Sequence, residues 1–344
     1  MSEKTRNTEE IMSTIKAGLS GDHKTDYRYL SEQLEKYRYH DEFKELSREC
    51  GKIIWNMLPE CEFEEDRKTL EPYDSVDDVL DAISIFAVLN DTEQAIKIGE
   101  ALVSRLESAN AYEDDEENEY MYFSEPFQEF LYCAYSHSAK HLRMAPINYP
   151  AAYLYLGSQL FEAKRYKDAR DALRVGLRWN PNDFRMLSEF IETYKAEGDL
   201  DEFFALSKEA FKIAYRPVFL ARCFRNLGWY FTEKRLWSEA VGAYVLSSEY
   251  DPDSPQIENE LEYIASIADD VIKEPDFHNI ADYCEKYDFP IGPCHDVLYV
   301  AYTYGTSFRK NGMNNLAVYC FEIIYRLTKS EEVKEWIDQI NSLS

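Results

Sequence analysis

The sequence predicts an all-α chain built from stacked helical hairpins, and three observations carry that prediction. The run from Pro150 to Pro252 repeats itself. Tyr153, Leu156, Gly157 and Leu160 fall on one helical face and Ala169, Leu173 and Gly176 on a second, before Pro181. Phe224, Leu227, Gly228 and Phe231, followed by Ala240, Tyr244 and Ser247, repeat that order before Pro252. The two closing prolines leave room for one degenerate unit between them, carried by Leu187, Phe190, Tyr194, Gly198, Phe203 and Ala210. The period is roughly 34 residues with two helices in each unit, a signature of stacked helix pairs. Gly and Pro number only 12 each and cluster at expected turns, as in a helical chain. No alternating strand pattern bounded by turns accompanies them.

The spacing has a physical cause. A helix buries one stripe when apolar residues recur at intervals of three and four, and Leu156 with Leu160, or Leu227 with Phe231, supply that stripe. Gly157, Gly228, Ala169 and Ala240 mark where two helix axes come close, since a larger side chain would hold them apart. Mid-unit turns carry Gly198, Lys164 and Lys234, and a proline at a unit's end cannot continue the helix before it.

The remaining elements follow in order. Residues 1–23 read as a tail or capping helix with Ile11, Ile15 and Leu19 on one side. Residues 24–109 hold divergent helix pairs: Tyr27, Leu30, Ser31, Leu34, Phe43 and Cys50 in one, then Val79, Ala82, Ile83, Phe86, Ala95 and Leu102 in another. The acidic stretch between them, Pro59 to Pro72, reads as a linker or long loop. Ser75 with Asp78 gives a capping signal of the S-x-x-D kind, and a turn is expected at Asn90 and Asp91. Residues 110–149 read as an acidic loop and an extra helix. Glu113 to Glu119 holds six acids in seven residues, which predicts an exposed, mobile loop, and Phe123 to Met144 predicts one long helix. Residues 150–252 are the three clear units. Residues 253–329 are divergent units, with helices expected over Ile257 to Ile272 and Phe277 to Tyr287, and residues 330–344 form a terminal capping helix with Val333, Trp336 and Ile340 inward. End helices with one polar face close a solenoid.

The pattern over Pro150 to Pro252 resembles the tetratricopeptide repeat. The resemblance extends to Leu298–Lys329, where Gly305, Phe308, Gly312, Ala317, Phe321 and Ile324 keep the same order, and it fades toward the amino terminus. It implies a right-handed superhelix whose first helices line a concave groove that holds a peptide or protein segment. The groove positions of that family correspond here to Leu154, Ser158 and Phe161, then Arg185, Ser188, Glu192 and Lys195. Further along they correspond to Arg222, Arg225, Trp229 and Thr232, and finally to Tyr299, Tyr302, Thr306 and Arg309. Some members grip a chaperone's terminal carboxylate with a set of Lys, Asn and Arg. This chain departs from that set, retaining a cation only at Arg225, so chaperone-tail binding is disfavoured.

Composition narrows the partners. The formal charge of -27 repels phosphates and so argues against nucleic acid or an anionic membrane. The charge is uneven: from Pro150 to Tyr250 there are 15 Lys and Arg against 14 Asp and Glu, and elsewhere 23 against 51. The clear repeats are therefore the neutral part, suited to an anionic or neutral ligand, while a basic partner would be steered by the flanks. Seven unpatterned cysteines read mostly as buried reduced thiols, with Cys133 expected in the core beside Phe130. No signal-peptide pattern and no run approaching about 18 apolar residues is present, which predicts a cytoplasmic location without a membrane span.

A search for chemistry finds no Gly-rich phosphate loop, no G-x-S-x-G, no H-E-x-x-H and no C-x-x-C. No cofactor is expected. Cys133, His137 and His141 are spaced four apart on the expected long helix. His137 and His141 are the nearest approach to a metal pair, but three positions span two turns, roughly 12 Å, too far for one ion. The sequence thus predicts a non-catalytic scaffold that binds a protein or peptide through Phe161, Arg185, Lys195, Arg222, Arg225, Trp229, Tyr299, Tyr302 and Arg309. Arginine forks pair carboxylates bidentately and aromatic faces add contact area at little entropy cost. The alternative is a regulatory sensor whose superhelix changes shape around a small ligand or peptide to control a partner. Its 27 tyrosines would also suit a homodimer.

Overall fold

The computed structural model describes residues 3–40, 42–273 and 279–342. In chain order the helices are Glu3–Ala17 (α1), His23–Lys36 (α2), Phe43–Met57 (α3), Glu64–Leu70 (α4), Val76–Val88 (α5) and Thr92–Ala109 (α6). Pro126–Tyr135 (α7) lies between two short strands, Asn118–Met121 (β1) and His141–Met144 (β2). Then come Tyr149–Glu162 (α8), Tyr166–Trp179 (α9), Phe184–Glu197 (α10), Leu200–Glu209 (α11), Pro217–Glu233 (α12) and Trp237–Tyr250 (α13). Pro255–Ile267 (α14), Asp269–Lys273 (α15), Ile280–Tyr287 (α16), His295–Lys310 (α17), Asn314–Thr328 (α18) and Glu331–Asn341 (α19) complete the described elements. The chain is all-α, with helices packed in adjacent pairs as in an α-solenoid.

The hairpins close where small residues allow it. A Cβ on Gly157 would lie 2.6 Å from the Leu173 side chain, and one on Gly228 would lie 2.8 Å from the Tyr244 ring. Both glycines are therefore the surfaces against which the second helix of the pair is seated. Caps set the boundaries: the Ser75 hydroxyl accepts from Asp78 N at 3.1 Å and opens α5, and Asp91 accepts from Gln94 N at 3.2 Å and opens α6 after Asn90 turns with φ 58°. Accepting a first-turn N–H satisfies one of the orphan donors of the helix start.

The residues divide into two compact units. One comprises Met1–Ser124 and His137–Thr193, the other Glu125–Ser136 and Tyr194–Ser344. The first has a continuous core running from Met12 and Ile15 through Leu46, Ile83 and Leu102 to Tyr149 and Trp179. In the second, Phe203, Phe211, Phe224 and Phe231 are fully buried, and the ring of Phe130 stacks on Tyr304 at 4.4 Å.

Five expectations are corrected. Pro59 to Pro72 is not simply a linker: it holds α4, whose first turn carries Glu64, Glu65 and Asp66 and which buries Leu70. Acids at a helix start favour the macrodipole, so the same charges that broke the apolar period stabilise a short helix. The long helix over Phe123–Met144 does not form. It begins with Pro126 and stops at Tyr135, because the polar residues after it offer no apolar stripe, and the chain re-enters as β2. Strands β1 and β2 pair in parallel, Asn118 opposite His141 and Met121 opposite Met144, a short sheet where no strand was expected. Glu113 to Glu119 is ordered at its end: Asn118 and Glu119 are buried, and the Asp115 carboxylate accepts from Glu117 N at 2.8 Å and Asn118 N at 2.7 Å. Finally, Ile257 to Ile272 is broken at Ala268 into α14 and α15. Phe277, expected to start the next helix, and Leu343 lie outside the described residues.

Candidate functional site

In the second unit three of the cations expected from the sequence, Lys195, Arg222 and Arg225, lie on or against α12. Arg222, Arg225 and Trp229 lie on this helix at intervals of three and four, so they share one face. The face is fixed from beneath by α13: Gly228 admits Tyr244, and the buried Ser247 hydroxyl donates to Ala221 O at 2.9 Å. Thr232, the last position of the set, turns inward and donates to Gly228 O at 2.9 Å, so it presents no free hydroxyl.

Trp229 is half-buried and held on two sides. Phe203 meets it edge-on with centroids 5.0 Å apart, and the Lys195 ammonium lies 4.5 Å from its centroid. A cation over an indole face is attracted by the ring quadrupole. Arg225 Nη1 donates to Asp251 Oδ2 at 2.8 Å, where Asp251 caps the end of α13. Burial pulls the Arg225 guanidinium below its usual range, opposed by the hydrogen bond and charge of Asp251 and assisted by the neighbouring Arg222 charge. Its Nε is buried without a hydrogen-bond partner among the described residues. Asp251 is the site residue the sequence reading missed. It sits immediately before the closing Pro252, on the other helix of the hairpin, where helical periodicity gives no signal.

The other candidates are placed elsewhere. On α17, Tyr299 is exposed and stacks with His295, while Tyr302 approaches Trp336 of α19 with centroids 6.0 Å apart. Arg309 donates to Gln339 Oε1 of α19 at 3.2 Å. In the first unit, Phe161 packs beside Ile96, Leu156, Leu160 and Ala169 and meets Tyr166, so much of its surface is structural. Arg185 is exposed, with Nε 3.9 Å from the buried Asp183 carboxylate.

The shared helical face proposed for Cys133, His137 and His141 does not exist, because α7 ends at Tyr135 and His141 begins β2. Cys133 is exposed rather than part of the core. Cys50, Cys61, Cys223, Cys284 and Cys320 are buried, and burial pushes the Cys50 and Cys320 thiols up to about 12. Among the described residues no group of three or more His, Cys, Asp or Glu is arranged to hold a metal, and no helix is long and apolar enough to cross a membrane.

No family model matches the sequence, and no curated protein matches it. Among solved structures, the crystal structure of the APC/C hetero-tetramer Cut9-Hcn1 aligns at 14% identity with a TM-score of 0.34, covering 98% of this chain and 66% of that chain. This chain therefore spans just under two thirds of that one, and the likeness carries no functional argument.

Proposed function

We propose that this chain is a non-catalytic scaffold of tetratricopeptide-like hairpins that holds an extended peptide or protein segment against the inner face of α12. The observation that carries the reading is the Arg225 guanidinium: it is held at 2.8 Å by one carboxylate, largely removed from water, and set beside a second arginine and a tryptophan. A single internal partner offsets only part of the desolvation of a buried charge. A guest carboxylate presented to Arg222 and Arg225 would add the missing compensation, and Trp229 would supply contact area beside it. The near-neutral balance of Pro150 to Tyr250 within a strongly acidic chain lets an acidic guest approach there and not elsewhere.

Arg222→Ala together with Arg225→Lys tests this. Lysine keeps the charge but cannot make the bidentate fork, so the Asp251 pairing survives while carboxylate recognition is lost. Capture of proteins and of an acidic peptide array by the wild-type chain should fall by about tenfold or more in the double variant. An unchanged set of captured sequences sinks the reading.

A further inference from the structure

A cavity of about 550 Å³ opens within the first unit, where α6 and α9 end and α8 begins. Its walls are aromatic: Tyr112, Tyr149, Tyr153 and Trp179. Tyr149 and Trp179 stack face to face with centroids 4.0 Å apart and planes 8° from parallel. Its charged lining is Glu107, Glu113 and Asp114 against the single cation Arg178. The ends of α6 and α9 add the negative poles of two helix dipoles.

These charges are only partly used. Glu107 Oε1 accepts from the Tyr153 hydroxyl at 2.7 Å, and Asp114 accepts from Tyr120 N at 2.9 Å. Among the described residues, Glu113 and the second oxygen of Glu107 have no hydrogen-bond or ion-pair partner, and Arg178 forms no ion pair. The guanidinium of Arg178 instead lies over the Trp179 ring, 5.1 Å from its centroid. The cavity thus already seats one guanidinium on its aromatic wall and retains two uncompensated negative charges.

We propose that this cavity is a receptor for an arginine side chain of a basic protein segment. The four rings are buried and Tyr149 covers one side of Trp179, so the face on offer is the one Arg178 now covers. A planar guanidinium stacks on an indole face and sheds its hydration more readily than an ammonium, and the exposed carboxylates of Glu107 and Glu113 would accept its N–H groups. The three carboxylates of the lining against one cation favour such a basic segment at this mouth. Arg178 is the internal competitor: it occupies the Trp179 face and repels an incoming cation.

The test is calorimetric titration of the full chain with a blocked tripeptide centred on arginine, and with its uncharged citrulline counterpart of nearly the same shape. The arginine peptide should bind at least about tenfold more tightly than citrulline. Glu107→Gln with Glu113→Gln, which keeps an acceptor for Tyr153, should weaken it by about tenfold. Arg178→Ala should strengthen it several-fold, an effect that a merely structural role for Arg178 would not produce. Arg225→Lys should leave it unchanged, which separates this site from α12. Equal binding of the two peptides, no arginine binding at millimolar concentration, or weaker binding by Arg178→Ala overturns the proposal.

Discussion

The hairpin α12–α13 and the stretch from Glu113 to Met144 are stabilised in opposite ways. In the hairpin, partners are near in sequence: Gly228 seats Tyr244, Ser247 binds Ala221, and Arg225 meets Asp251. In the other stretch they are remote. The Ser31 hydroxyl donates to Met144 O at 2.7 Å, Arg143 Nη1 binds Glu35 at 2.8 Å, and the Tyr215 hydroxyl donates to Glu125 at 3.0 Å. The residues of α7 belong to one compact unit and those of β1 and β2 to the other. A stretch whose partners lie elsewhere along the chain carries little periodic signal of its own, because no single neighbouring helix decides which side is buried.

The strongest way to break this contrast is Phe130→Ala. The ring is buried, stacked on Tyr304 at 4.4 Å and 5.3 Å from Phe308. Its loss should cost about 3–5 kcal/mol. Hydrogen exchange should show α17 losing protection while α8 and α9 keep theirs. Equal loss in α8 and α9, or no loss in α17, would show that α7 is not anchored where its contacts place it.

Gly228→Ala probes the hairpin instead. The added Cβ would meet the Tyr244 ring at 2.8 Å, and a ring braced inside a packed pair cannot swing away cheaply. A destabilisation of about 1–3 kcal/mol is expected from overpacking. A double-mutant cycle with Tyr244→Leu should show coupling; strict additivity would mean that the close approach lies elsewhere.

The same contrast explains what was legible in the sequence. Helix pairs in which Leu156, Leu160, Leu227 and Phe231 repeat at helical spacing were readable, because burial there is set by the neighbouring helix. The start of α5 was readable from Ser75 and Asp78 because a cap is local chemistry. The sheet was not: β1 and β2 are four residues each and lie on either side of a helix, too short and too separated for alternation to register. Helix α4 was hidden because its acids were read as loop charge and not as a favourable first turn. At the candidate site, the cations of α12 came from the groove positions that the tetratricopeptide resemblance implies. Asp251 was not among them, since it closes the site from the end of the partner helix. The arginine-receptive cavity was equally hidden, its walls coming from the ends of three helices where side chains converge without a shared period.

The smallest predicted effect is the most selective. Ser31 is fully buried in α2, and its hydroxyl is the donor that reaches the carbonyl of Met144 at the end of β2. The next amide, Ala145 N, donates to Met121 O at 2.8 Å, so the Ser31 bond and the sheet hold the same turn of chain from two sides. Ser31→Ala removes one buried donor and leaves a carbonyl without its partner, which should cost about 1–2 kcal/mol. Ser31→Cys, with a weaker donor of similar size, should fall between the two. Because the lost bond belongs to the strand and not to α2's own helical ladder, amide exchange should quicken at Met144 and Ala145 before it changes within α2. If α2 loosens first, Ser31 acts through helix packing, and the remote contacts of the Glu113–Met144 stretch matter less than the hairpin-like ones around it.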